Sequence, residues 1–299
     1  MFSRRQTLKA IAATGAALPI GSFASAKDKA ILAWTVFRSS EAGFLRAPVL
    51  VTGPTEAVLI DANFNYADGK MVADAIQQCG KRLTTIYITV NDPDYYFGLA
   101  PIRAAFPNVR ILAAPDTVAL MRQKAAGKIE AWSPKLGDNG PKSVSELIFS
   151  EPSDITSLSV DGETLEIVTA PGVKDRGRYI WVPSLGAVFG GVPVFGGMYP
   201  WVADLPTGAE RSAWRTALEG ILARNPRIVV PGHMTATWPT DISGVTFTRD
   251  YLIAFEAEAA KAKDAAALIV EMKKLYPNEA FELSLVLGAK VAKGEMKWG

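Results

Sequence analysis

Ile88-Thr89-Val90-Asn91-Asp92-Pro93-Asp94-Tyr95-Tyr96-Phe97-Gly98-Leu99 is preceded by an apolar run, Leu83 to Ile88, with the length and β-branched content of a buried strand. Gly98 and the apolar residues after it open a helix. Between strand and helix lies a polar loop with two carboxylates, Asp92 and Asp94, followed by three aromatic residues. A strand that ends in a polar loop before a helix is where α/β folds place their chemistry.

Upstream, Ile31–Arg38, Pro48–Thr52 and Ala57–Asp61 are short apolar runs separated by Gly, Pro and charged residues, the pattern of an antiparallel meander. A helix over about Ala67–Gln78 follows, stopped by Gly80. Downstream come a helix at Leu99–Phe106, a strand at Val109–Ala113 and a helix at Thr117–Lys124, with Asp116 as its expected N-cap. Residues 127–153, broken by Gly127, Pro134, Gly137, Gly140 and Pro141, read as a surface excursion. Strands at Ser157–Val160, Thr164–Thr169, Arg178–Val182 and Ala187–Phe189 make a second meander. Trp214, Leu218 and Leu222 recur every four residues along a helix over Glu210–Arg224. A strand at Arg227–Val230 reaches Pro231-Gly232-His233, and the tail from about Phe247 is helical. Two meanders, each followed by helices, imply an α/β fold of two packed sheets with helices outside.

The first 26 residues read separately. Ser3-Arg4-Arg5-Gln6-Thr7-Leu8-Lys9 is a twin-arginine leader, Ile11–Phe23 is mildly apolar, and Ala24-Ser25-Ala26 is a cleavage site. Export through the twin-arginine route to the periplasm or another extracytoplasmic space is expected, with residues 27–299 as one domain. The leader takes three of the 32 basic residues and none of the 30 acidic ones, so the rest is close to neutral. That balance argues against nucleic acid as a partner. No segment after the leader is long and apolar enough to span a bilayer. Cys79 is the one cysteine, so no intrachain disulfide forms, and it reads as a packed, inert thiol.

The loop resembles the signature of the metallo-β-lactamase superfamily, a strand followed by H-x-H-x-D-H and a Gly-Leu helix start. Leu59-Ile60-Asp61 is similar to that family's strand ending in a structural Asp. Ala170-Pro171-Gly172-Val173 stands where the family has a His, Val188-Phe189-Gly190-Gly191 where it has a metal-bridging Asp, and Val229-Val230-Pro231-Gly232-His233 matches the last ligand strand. Tyr199-Pro200-Trp201 resembles an exported branch that often has His-Pro-Trp. The resemblance covers roughly residues 30–235 and implies a four-layer αββα sandwich.

Carried over residue by residue, one implied metal site falls on Val90, Asp92 and Val173, and the other on Asp94, Tyr95 and His233, with Gly191 at the bridge. Valine and glycine side chains offer no lone pair, so the two-zinc hydroxide chemistry of the family is not expected. His233 is the one histidine of the chain. Three readings of it stay open: a hydrogen-bonded structural residue beside Asp94, a weak single-metal site of Asp94, His233 and Asp92, or metal-free acid–base chemistry. Asp92 and Asp94 could share a proton if shielded from water, or Asp92 could be solvated; Asp61 reads as an acceptor for loop amides.

The expected ligand-binding rim is aromatic and polar: Asp92, Tyr95, Tyr96, Tyr199 and Trp201, with Phe97 and Phe195 beside them. Lys174, Arg176 and Arg178 add basic groups near that edge, for a carboxylate or phosphate or as a solvated hairpin. The expected protein is an exported, zinc-free hydrolase relative, a pseudoenzyme, that binds a small molecule or a protein partner at the old active-site mouth. The alternative is an active hydrolase using Asp94 and His233 with one metal or none.

Overall fold

The computed structural model describes residues 31–298. The twin-arginine leader and its cleavage site lie outside the described residues. The first sheet begins with β1 (Ala33–Val36), β2 (Val49–Thr52) and β3 (Glu56–Ile60), paired antiparallel as the first meander. The chain then crosses through α1 (Tyr66–Cys79) to β4 (Arg82–Tyr87), and through the short α2 (Pro93–Tyr96) and α3 (Leu99–Ala105) to β5 (Arg110–Ala113). After α4 (Pro115–Leu136) it reaches β6 (Glu151–Pro152), and β3 to β6 run parallel in the order β1-β2-β3-β4-β5-β6.

The second half supplies β7 (Ser157–Val160), β8 (Glu163–Thr169), β9 (Arg178–Val182), β10 (Ala187–Phe189), β11 (Phe195–Gly196), α5 (Gly208–Ala223), β12 (Ile228–Val229) and β13 (His233–Met234). The second sheet has the order β12-β10-β9-β8-β7, and β11 pairs with β13 as a small separate ribbon. Three helices close the chain: α6 (Ser243–Lys261), α7 (Ala265–Leu275) and α8 (Glu282–Ala292).

Alternation along the strands builds the layers. In β3, Val58 and Ile60 join Val49, Val51, Tyr87, Leu158, Val160, Ile180 and Phe189 in a core shared by the two sheets. Their neighbours Ala57 and Leu59 face the other way, into a core with Val72, Ile76, Leu99 and Ile102 of the helices. On the second sheet Val188 and Val229 meet Trp214, Leu218 and Ile221 of α5 in that same outer core. Each fully buried Leu, Ile or Val stabilises by roughly 1.5–3 kcal/mol, which makes this two-sided burial the main force holding the sandwich.

Local signals explain the element ends. Asn65 caps α1 by accepting from the Asp68 amide, and Gly80 ends it in the left-handed region. Thr207 and Glu210 form a reciprocal capping box on α5.

Two expectations are corrected. The helix after β5 begins at Pro115 and does not stop at Lys124 but runs to Leu136, and Gly127 and Pro134 lie within it. Gly127 faces open space, and Trp132 anchors the extra turns edge-on against Phe44 and Phe64, so tertiary packing overrides two weak helix formers. Asp116 is not the N-cap: that position is Ala114, while Asp116 accepts from the Thr117 amide inside the first turn.

Candidate functional site

The carboxyl end of β4, the loop into α2, and the ends of β3, β10 and β12 meet at one edge of the sandwich. Asp61 closes β3 with a positive φ of 61°, a conformation aspartate tolerates better than most residues. Its Oδ1 accepts from the Thr89 amide at 2.8 Å and the Thr89 hydroxyl at 2.7 Å, and Oδ2 accepts from the Gly191 amide at 3.1 Å. Asp61 is thus the loop-amide acceptor its position suggests. Gly98 lets the 63–65 loop approach, since a Cβ there would sit 2.6 Å from the Asn63 carbonyl oxygen.

Asp94 and His233 come together. Asp94 Oδ2 lies 3.5 Å from His233 Nε2 and 3.6 Å from Arg46 Nε, yet it accepts no hydrogen bond. Burial, with the Asp92 charge adding to it and Arg46 opposing it, pushes the Asp94 carboxyl up to about 7. His233 Nδ1 faces the Phe44 carbonyl oxygen at 2.8 Å, which places the proton on Nδ1 and leaves the Nε2 lone pair facing Asp94. Burial, reinforced by Arg46, holds the imidazole well below its ordinary value, so it is neutral. Its ring stacks on Phe195 with centroids 5.1 Å apart.

Asp92 behaves differently. Arg176 Nη1 donates to it at 2.6 Å and Lys128 Nζ lies 3.8 Å away. Burial alone would raise its carboxyl, but Arg176 and Lys128 outweigh burial and hold it below the ordinary carboxylate value. Arg176 also meets Asp204 at 3.0 Å, and Asp204 accepts from the Trp298 indole at 3.0 Å. Asp92 thus anchors an ion-pair network, and its charge acts on Asp94. Arg178 is not at this rim: it is buried and bonded to Thr117 and Asp116.

The pocket in front of Asp94 and His233 is narrow, with a volume of about 50 Å³, and opens to solvent. Asp92, Trp201 and Phe195 line it as expected. Tyr95, Tyr96 and Tyr199 do not. Tyr95 lies behind His233, its hydroxyl 3.1 Å from the Gly191 carbonyl oxygen and 3.3 Å from Nε2. Tyr96 packs against Phe97 and Phe149, and Tyr199 packs against Tyr251 with its hydroxyl donating to the Tyr276 carbonyl at 2.6 Å. The turn of α2 carries Tyr95 and Tyr96 into the core, and the apolar area of its ring buries Tyr199 against Tyr251. The aromatic wall comes instead from Phe44, Phe64, Trp132, Phe281 and Trp298.

Arg46 was not among the expected site residues. It is the one charged side chain in the apolar stretch Phe44–Val51, and that isolation is its sequence signal. It is completely buried. Nη2 donates to Asp61 Oδ2 at 3.3 Å, Nε to the Asp94 carbonyl at 3.3 Å, and Nη1 to the Gly232 carbonyl. The guanidinium carbon lies 3.4 Å from the Tyr95 ring centroid.

The residues present do not fit the zinc centre that the sequence resemblance implies. Val90 and Val173 are buried in the core. Gly191 has a φ of +73°, and a Cβ there would come within 2.0 Å of the Arg178 carbonyl oxygen, so the backbone leaves no room for a bridging carboxylate. Among the described residues, no three His, Cys, Asp or Glu side chains form a group that could hold a metal ion. A divalent ion beside Asp94 would also face the Arg46 guanidinium, and like unit charges about 4 Å apart repel by about 4 kcal/mol near a protein surface. What the site offers is a shielded carboxyl that changes protonation near neutrality, a neutral imidazole and an aromatic wall.

Neither a protein-family model nor a curated protein matches the chain by sequence. Solved structures do match it. A metallo-beta-lactamase family protein from Thermus thermophilus is 16% identical with a TM-score of 0.60, covering 88% of this chain and 91% of its own. A beta-lactamase domain protein from Burkholderia ambifaria is 15% identical with a TM-score of 0.60, covering 92% and 89%. A metallo-beta-lactamase from Pseudomonas aeruginosa, solved in its mono-zinc form, is 14% identical with a TM-score of 0.51, covering 74% and 90%. With its two packed sheets and outer helices, the chain has the metallo-β-lactamase fold.

Proposed function

We propose that this protein is an exported, zinc-free relative of the metallo-β-lactamase-fold hydrolases that binds a small molecule in the pocket before Asp94 and His233. One observation carries the reading: Asp94 and His233 line a pocket whose other walls are Phe44, Trp132, Trp201, Phe281 and Trp298. The ligand class that fits carries a ring or compact apolar body and a hydroxyl or amine donor. No resident metal or other cofactor is part of this reading.

A second reading rests on the same pair. A carboxyl that ionises near pH 7 beside an imidazole lone pair 3.5 Å away has the elements of general acid–base catalysis, so a metal-free hydrolase is the alternative. A thermal-shift screen of ring-bearing alcohols and amines, run on wild type, Trp201→Ala, Asp94→Ala and His233→Ala, tests both. Binding predicts a wild-type shift that Trp201→Ala weakens for every hit and Asp94→Ala weakens for donor-bearing ones. Hydrolysis predicts turnover that Asp94→Ala and His233→Ala abolish. A wild type that no compound shifts refutes the small-molecule reading and favours a protein partner at the same mouth.

A further inference from the structure

Arg46 owes its place to an unusual piece of backbone. After the short 3-10 turn Glu41–Gly43, Phe44 and Leu45 both take positive φ, 60° and 54°. Two consecutive left-handed non-glycine residues are strained, and such strain persists only where the surroundings enforce it. The surroundings are visible. Ala47 donates its amide to the Gly232 carbonyl at 3.1 Å and Met234 donates to the Leu45 carbonyl at 2.8 Å, so residues 45–47 are clamped across the His233 strand. The same turn points the Phe44 carbonyl at His233 Nδ1 and sends Arg46 inward.

We infer that Arg46 is the resident cation of this site, taking the charge-balancing and positioning role of a bound metal and excluding one. A buried guanidinium is costly unless its charge and its donors are matched. Here the donors are matched by Asp61 Oδ2 and by the carbonyls of Asp94 and Gly232, the Tyr95 ring lies against the cation, and the Asp94 carboxyl stands 3.6 Å from Nε. Arg46 is fully buried, so it is a positioning residue and does not reach a pocket ligand. It fixes Asp94 from one side while the Phe44 carbonyl fixes His233 from the other. A cation that is part of the chain does not exchange and, unlike a metal ion, carries no bound hydroxide.

Removing the guanidinium opens a space beside Asp94 and His233, which a cation from solution, completing its coordination with water, can then enter. The test uses Co²⁺ as probe, by equilibrium dialysis and visible absorption, with melting temperature beside it, on four proteins. Wild type and Arg46→Lys, which keeps the charge, take up no Co²⁺ and gain no stability from it. Arg46→Ala melts lower, takes up about one Co²⁺ per chain with a visible band, and recovers part of the lost melting temperature. Arg46→Ala/His233→Ala loses that uptake. Stoichiometric uptake by wild type or Arg46→Lys overturns the inference, as does folded Arg46→Ala without uptake, or uptake that survives the loss of His233. If Arg46→Ala does not fold alone, refolding with and without Co²⁺ decides: recovery with the ion supports the inference, and failure in both contradicts it. None of these outcomes depends on whether the pocket binds a small molecule.

Discussion

Asp94→Asn makes the protein more stable near pH 8, the reverse of what losing an ion-pair partner usually does. The folded state keeps the Asp94 carboxyl protonated up to about pH 7, whereas the model carboxyl releases its proton at 3.8. A carboxyl with a raised folded value contributes fully below its unfolded value, and that contribution is lost as the pH rises through the folded one. At about 1.4 kcal/mol for each pH unit in that window, the ionised carboxylate costs the fold up to about 4 kcal/mol near pH 8. The Arg46 attraction at 3.6 Å is already counted in that balance, because it acts on the same titration. Asparagine has the shape of the protonated acid and no charge, so it escapes the cost. In thermal melts the advantage of Asp94→Asn grows from near pH 4 to near pH 7 and then levels off. Each kcal/mol is read as roughly 2 °C in a chain of this size. An advantage that does not vary with pH, or an Asp94→Asn protein less stable than wild type near pH 8, refutes the reasoning.

Other perturbations read other parts of the site. His233 is held well below its ordinary value of 6.5, so its contribution is present above about pH 6.5 and lost as the pH falls. The melting-temperature gap between wild type and His233→Gln therefore narrows from about pH 7.5 to about pH 5.5. Gly191→Asp, which restores the family's bridging residue on paper, destabilises by at least about 3 kcal/mol in denaturant titration, because of the positive φ and the Arg178 carbonyl. Trp201 packs edge-on against Trp298 at 5.4 Å, and Trp201→Ala weakens pocket binding by about 1–3 kcal/mol, read by calorimetry on any thermal-shift hit. Replacing Arg4 and Arg5 with Lys leaves uncleaved precursor in the cytoplasm, seen by fractionation, and normal export of that double variant removes the twin-arginine assignment.

The sheets and the meeting of Asp94 with His233 were legible because periodicity and the loop after β4 carry local, strong signals. The tyrosines were not. Tyr95, Tyr96 and Tyr199 fall on the right loops, but which face of a loop a ring takes depends on burial against distant elements, and all three turn inward. The wall that replaces them comes from Phe44 and Phe64 in early loops, Trp132 on α4, and Phe281 and Trp298 at the end of the chain. These are far apart in sequence and share no motif. Arg46 was hidden for a similar reason: its role depends on a left-handed Phe44–Leu45 turn that no residue preference announces. The ligand positions filled by Val90, Val173 and Gly191 were legible as residue types, and the structure adds why they hold: two are packed core and the third has no room for a side chain.

A zinc-free site is checked by elemental analysis of the protein purified without added metal and without chelator. The expected content is well under one zinc, or any other transition metal, per chain. One tightly held metal ion per chain would contradict it and would place that ion at Asp94 and His233, with Arg46 displaced.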